Sequence, residues 1–347
     1  MQLERRTDVP LRLVVSAPLA AVLAALVLAA GLIAAAGVNP LSAYAAMLKG
    51  ALGSRLSVTE LLTRATPLIL TGLAAAVAFR ARLWNIGGEG QFYLGALATA
   101  WVGHTLMLPG LLGIPVLMVC GMAAGAVLLA GPAYLRLRFG VDEVVTTLLL
   151  NFIIILFVGL MIEGPLRDPL AFGWPQSVPV DGDFRLPDLV PRTRLHIGLL
   201  FAIAAAATVW LVLSRTVFGI ETRATGLNPK AAAFAGISLP RTIMGVALLS
   251  GALAGLAGSV EVLGVTGGVT TTMSPGFGYA GIVVAMLAAL HPVGVVAAAL
   301  FVAGVFVGAD AMSRATGVPS FIADVIVALS LLTMLVALLF TSYRIRR

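Results

Sequence analysis

Apolar runs of bilayer length alternate along this chain with short polar links, and arginine gathers in the links. The first run covers about Leu11 to Ala36; others follow at about 61–79, 89–108, 111–135, 142–162, 196–214, 242–263 and 319–340. Each is close to the roughly 20 residues a helix needs to cross a hydrocarbon core. Tyr279 to Ala309 is a run of 31 residues, too long for one simple crossing. The interruption His291-Pro292 predicts two short helices meeting near Pro292. The pattern therefore predicts an all-α polytopic membrane protein with about ten transmembrane helices in a single domain over 1–347. The first run exceeds a signal-peptide core and is read as an uncleaved helix.

The links carry their own local signals. Gly37 to Glu60 is a mixed connector with a short interfacial helix around Tyr44 and Met47. Asp142 is placed to N-cap the helix that follows it. Residues 163–194 hold six prolines, at 165, 169, 175, 179, 187 and 191, which no helix tolerates, so this is an external loop. Residues 215–241 form the opposite, cytoplasmic loop. There Asn228 is a natural N-cap, Pro229 fits the first helical position and Gly236 the C-terminal stop, giving a helix of about two turns. So short a helix is marginal alone, so it needs packing against its own chain or a partner.

The densest polar stretch against apolar sequence is Arg80-Ala-Arg82-Leu-Trp84-Asn85-Ile86-Gly87-Gly88-Glu89-Gly90-Gln91. Its glycines permit close backbone approach, and its amides and carboxylate are costly in lipid. Irregular polar backbone at membrane depth is tolerated where it faces protein or lines a cavity. Asn85, Glu89, Gln91 and Asn151, the last two turns into its helix, are therefore the candidate pathway residues. Glu89 also suits the first turn of the next helix, where the dipole favours a carboxylate. Gly121-x-x-x-Gly125 and Gly251-x-x-x-Gly255 mark faces for close helix contact. Arg64, near a span end, is read as snorkelling to the interface.

Composition narrows the class. The chain is 60% hydrophobic and 11% charged, with a mean hydropathy of +1.06 and a net charge of +7. In a soluble protein that basicity would suggest nucleic acid; here the bases cluster at span ends, so nucleic acid is excluded as a partner. With both termini cytoplasmic, fourteen of the 22 lysines and arginines fall on inner segments, as the positive-inside bias requires. Cys120 stands alone in an apolar run, excluding an intrachain disulfide. His104, His196 and His291 are widely separated, which argues against a metal site. No cofactor is called for.

The stretch Asn85-Ile86-Gly87-Gly88-Glu89-Gly90-Gln91 resembles the signature of bacterial ABC-importer permeases of the branched-chain amino acid, ribose and nucleoside superfamily, most closely the nucleoside or simple-sugar branch. Gly140-Val-Asp142-Glu143-Val-Val, Ser250-Gly251-Ala-Leu-Ala-Gly255-Leu-Ala-Gly258 followed by Glu261, and Phe277-Gly278-Tyr279 extend the likeness over about 60–340. Asp142 stands where the family commonly has asparagine. The resemblance implies a permease subunit, in the bacterial inner membrane, that moves a nucleoside or simple sugar inward by alternating access. It implies an ABC ATPase subunit, a second and related permease chain, and an extracytoplasmic solute-binding protein as partners. Gly226, Asn228, Pro229, Lys230, Ala231, Ala232, Phe234 and Gly236 match the coupling helix that docks into the ATPase. The chain has no P-loop, since Lys49 and Lys230 are its only lysines, so it is not itself the ATPase.

Spans 2–5 and 7–10 are separated by five crossings, so their equivalents point oppositely, which is the arrangement of an inverted repeat. A small-residue helix followed by a glycine-rich polar link occurs at 70–91 and again at 248–281. The sequence also admits three other readings: a branched-chain amino acid importer, an ion-coupled transporter using Glu89, Glu261 and Asp324, and an intramembrane hydrolase on Ser250, which lacks a base.

Overall fold

The computed structural model describes residues 2–5 and 11–346, with side chains from 16 to 337. Arg6 and Arg347 of the inner basic set lie outside the described residues. Thirteen α-helices are described: α1 (Leu11–Ala35), α2 (Pro40–Leu52), α3 (Arg55–Arg80), α4 (Gly88–Thr105), α5 (Gly110–Phe139), α6 (Glu143–Glu163), α7 (Gly198–Arg215), α8 (Val217–Leu227), α9 (Pro229–Phe234), α10 (Leu239–Glu261), α11 (Phe277–Leu287), α12 (Pro292–Thr316) and α13 (Ile322–Ser342). Seven of them are long and apolar enough to span a bilayer: α1, α3, α5, α6, α7, α12, and α10 with its π-helical extension Val262–Thr266. The helices α4, α11 and α13 complete a bundle of ten. Gln2–Arg5 pairs antiparallel with Tyr343–Arg346, so the two ends of the described chain lie together.

Packing reveals the repeat. The helix α10 lies on α4 and α5 as α3 lies on α11 and α12, and α6 rests on α4 as α13 rests on α11. The equivalence of α3–α6 with α10–α13 in packing matches the two sets of spans that the sequence pairs. The central crossing is made by the two glycine motifs. A Cβ on Gly125 would stand 2.2 Å from the Gly251 carbonyl oxygen, and one on Gly255 would stand 2.1 Å from that of Gly121. With lipid on both sides of the comparison, this close backbone approach replaces hydrophobic burial as the source of helix association.

Three local features depart from the sequence expectation. The second span starts at Arg55, capped by Ser54, and includes Glu60. Arg64 bridges Glu60 at 3.1 Å and Asp310 of α12 at 2.8 Å, so it clamps two helices instead of snorkelling. The run after Tyr279 divides at Pro292 as predicted, but unequally. The helix α11 has 11 residues and α12 has 25, continuing through Asp310 to Thr316 because Arg64 neutralises that aspartate. Asn39 caps α2, which packs along α12.

The proline-rich loop is strapped to the end of the bundle opposite the Arg80–Arg82 and Arg136–Arg138 turns. Ser177, Val180 and Leu186 donate backbone N–H groups to Val269, Gly267 and Leu263. His196, 1% exposed, fills the space left by Gly198 and Gly264, and its Nδ1 accepts from the Gly198 N–H at 3.1 Å. Burial pushes its imidazole down to about 4; Asp188 opposes that shift and Arg185 reinforces it. The unfolded loop takes up a proton below about 6.5, whereas the folded loop resists protonation until about 4. The stabilisation is thus complete above pH 6.5 and is lost as pH falls, by up to about 3 kcal/mol. Limited proteolysis of the 164–197 loop should accelerate from pH 7 to pH 5, and His196→Gln should flatten that dependence.

Candidate functional site

Hydrogen bonding explains how so polar a link survives inside an apolar bundle. The chain leaves α3 at Arg80, turns through Arg82 in the left-handed region at φ +54, and re-enters the bundle. Arg136 holds this turn, donating to the Arg82 carbonyl at 2.8 Å and to Glu143 at 2.6 Å. Glu143 in turn accepts from the Trp84 N–H, and Thr147 from the Ile86 N–H, both at 3.2 Å.

Above this turn, Asn85 and Gln91 are 3% and 1% exposed and pair side chain to side chain, at 3.0 and 2.8 Å. Asn85 also donates to Ser250 of α10 at 3.1 Å, which donates onward to the Ala74 carbonyl of α3. Asn151, fully buried on α6, accepts from the Gly90 N–H and donates to the Ile86 carbonyl, both at 2.8 Å; it also donates to the Tyr279 hydroxyl at 3.2 Å. Asn151, together with the Asn85 Oδ1 that accepts the Gly87 N–H at 2.9 Å, therefore does the work that regular secondary structure does elsewhere.

Glu89 acts across the pseudo-symmetric centre. It lies in the first turn of α4, yet its Oε2 accepts the Gly278 N–H at 2.6 Å, in the first turn of α11. The two helix N-termini meet here, and one carboxylate serves both positive ends. A helix of 11 residues is about 16 Å long, roughly half of a 30 Å hydrocarbon core. Beyond its far end the Leu290 carbonyl accepts from Arg80 at 3.0 Å, so the junction of α4 and α11 sits at mid-depth. Tyr279, partly exposed, faces a cavity of about 390 Å³ that also touches Gly276, Phe306 and Asp324.

The basic end carries the second group of candidate residues. Asn228 Oδ1 accepts from the N–H groups of Lys230 and Ala231, Pro229 opens α9, and Gly236 follows it at φ +86. Of this segment Ala232 is buried, while Phe234 is 96% exposed. An unforeseen helix, α8, precedes it. At the end of α8, Gly226 lies against the end of α3: a Cβ there would meet the Arg80 carbonyl oxygen at 1.9 Å. Through α8, the short helix and the glycine-rich turn, remote in sequence, are thus brought together at this backbone contact. Sequence reasoning singled out Gly226, Ser250 and Glu143 for their motifs but missed Gly226 as a link and Ser250, Thr147 and Glu143 as braces of the turn; Thr147 gave no signal of its own.

Residues 57–341 match the family described as branched-chain amino acid transport system / permease component. The chain belongs to this family. This permease is 36% identical to the glucose ABC transporter permease protein TsgB13 of Haloferax volcanii, over 99% of this chain and 93% of that one. It is 36% identical to the guanosine ABC transporter permease protein NupP of Bacillus subtilis, over 91% of each chain. With the nucleoside ABC transporter permease protein NupB of Lactococcus lactis it shares 35% identity over 90% of this chain and 88% of that one. The permease is thus a multi-pass membrane protein whose family function is transport.

Proposed function

We propose that this permease is the membrane subunit of an ATP-driven importer that carries a nucleoside or a simple sugar into the cytoplasm by alternating access. The names of its relatives support a polar solute of that class. The basic end faces the cytoplasm, in accord with the positive-inside bias, and both termini lie on that side of the cytoplasmic membrane. Its partners are an ABC ATPase, which supplies the hydrolysis, a second permease chain, and a solute-binding protein at the 164–197 loop. The observation that carries the reading is the path from the exposed Phe234 through α8 to Gly226 and Arg80. Movement of the ATPase against α9 is passed by that contact to the turn at 80–91, and from there to the paired N-termini of α4 and α11. Asn85, Glu89, Gln91 and Asn151 hold that junction as the wall of the pathway, while Tyr279 and Asp324 face its open side.

Replacing residues 228–235 with a Gly-Ser linker tests this. The ATPase should no longer co-purify and uptake should vanish, with the amount of permease in the membrane unchanged. Truncating an exposed aromatic anchor at such a contact costs about 2 kcal/mol or more, so Phe234→Ala alone should weaken ATPase attachment by about 30-fold or more. Retention of both attachment and uptake in the linker variant would sink the proposal.

A further inference from the structure

At the end opposite the arginine-rich turns, α3, α10 and α12 border a cavity of about 460 Å³. Arg64 spans one side of it, bound to both Glu60 and Asp310. The third carboxylate of the wall is Glu261, the last residue of α10 and only 6% exposed. Among the described residues no donor hydrogen-bonds to that carboxylate and no cation stands within salt-bridge distance of it, although Arg194 and Arg64 both act on it through space. Arg194 stands exposed at the rim, also without a salt-bridge partner among the described residues.

The position of Glu261 opposes ordinary physical preferences. Burial strips a carboxylate of water without offering a replacement. The C-terminal end of a 23-residue helix adds the negative pole of the dipole. The helix then passes into the π-turn Val262–Thr266, a distortion that recurs at functional sites. Arg64 is committed to its two carboxylates and Arg185 to the carbonyls of Val262 and Val265, which leaves Arg194 at the rim as the cation of this wall with no salt bridge among the described residues. The wall carries three acids, Glu60, Glu261 and Asp310, against Arg64 and Arg194, a net charge of −1. The acids do not form a metal-binding group among the described residues, and the volume far exceeds a bare ion. Val265, Met273 and Phe277 supply apolar wall suited to an aliphatic stem.

We propose that this cavity is a receptor for an alkylammonium or guanidinium group, with Glu261 as its acceptor, and that the group is a lysine or arginine side chain of the solute-binding protein. The adjoining rim at Arg192 and Arg194 would meet acidic neighbours of that side chain. The inference rests on the importer reading and names one contact within it. Two measurements on the full transporter complex in lipid nanodiscs test it. A charged hydrogen bond contributes about 1.5–3 kcal/mol, so Glu261→Gln, which keeps size and shape, should weaken binding of the solute-binding protein at least about tenfold. On the wild type, methylguanidinium chloride should compete with the solute-binding protein more strongly than equal sodium chloride, and this excess should disappear in Glu261→Gln. Unchanged affinity in Glu261→Gln overturns the proposal, and if methylguanidinium still binds the wild type, the site takes free cations instead. ATPase co-purification is read in parallel, so failure of the importer reading is distinguishable from failure of this contact.

Discussion

Gly278→Ala should abolish uptake and deplete the permease from the membrane, whereas Gly131→Ala should do neither. Both replacements add one methyl group to a helical glycine. At 278 the new Cβ would stand 2.1 Å from the Glu89 backbone nitrogen and 2.5 Å from its Cα, while at 131 nothing lies within 4 Å. The obstruction at 278 is backbone on both sides, at a junction pinned by α3, α4, α10 and α11, so no side chain can swing aside. Overpacking typically costs about 1–3 kcal/mol. Separating the two N-termini would also break the Gly278 N–H bond to Glu89, about 1.5–3 kcal/mol for a charged partner. The sum is a large fraction of the about 5–15 kcal/mol by which folded proteins are stable. Quantitative blotting of membranes, thermal unfolding and solute uptake would check it. Equal behaviour of the two alanine variants would refute the close contact of α4 with α11.

The difference between these two glycines marks what the sequence reveals and what it withholds. Signals that act within a few residues were readable: the Asn228 cap, Pro229 at the first position and Gly236 beyond the end all stand as the spacing predicts, and Asp142 caps α6. The glycine pairs on α5 and α10 announced close contact, but their mutual partnership spans about 130 residues of chain, and no local pattern encodes it. Charge misled where a distant partner cancels it. Glu60 and Asp310 read as span boundaries because isolated carboxylates are costly in lipid, yet Arg64 lets both helices continue past them. The polar turn was legible as unusual, whereas the assignment of each of its groups to a buried partner required the folded chain. Inversion of the repeat followed from crossing parity alone; the meeting of the α4 and α11 N-termini did not.

Asn151→Leu should lower uptake more than tenfold and lower the thermal midpoint, while Tyr279→Phe should leave both nearly unchanged. Leucine fills the space of asparagine, so the loss is of hydrogen bonds and not of volume. Two main-chain groups of the turn depend on Asn151, the Gly90 N–H and the Ile86 carbonyl. Asn151 is fully buried and neither group has a helical partner in reserve, so each stays unsatisfied at about 1–3 kcal/mol. Hydrogen bonds between membrane helices average only about 0.6 kcal/mol, because the separated helices find other partners. That discount does not reach an irregular turn whose own backbone is the stranded partner. It does apply to Tyr279, whose hydroxyl makes a longer bond, 3.2 Å, at a partly exposed site. Asn151→Asp is the intermediate case, keeping the acceptor for Gly90 while losing the donor to Ile86. A graded order, with Asn151→Leu most affected, Asn151→Asp next and Tyr279→Phe least, would show that the turn is held by backbone satisfaction. Equal effects of Asn151→Leu and Tyr279→Phe would instead place the importance of Asn151 in its contact with α11.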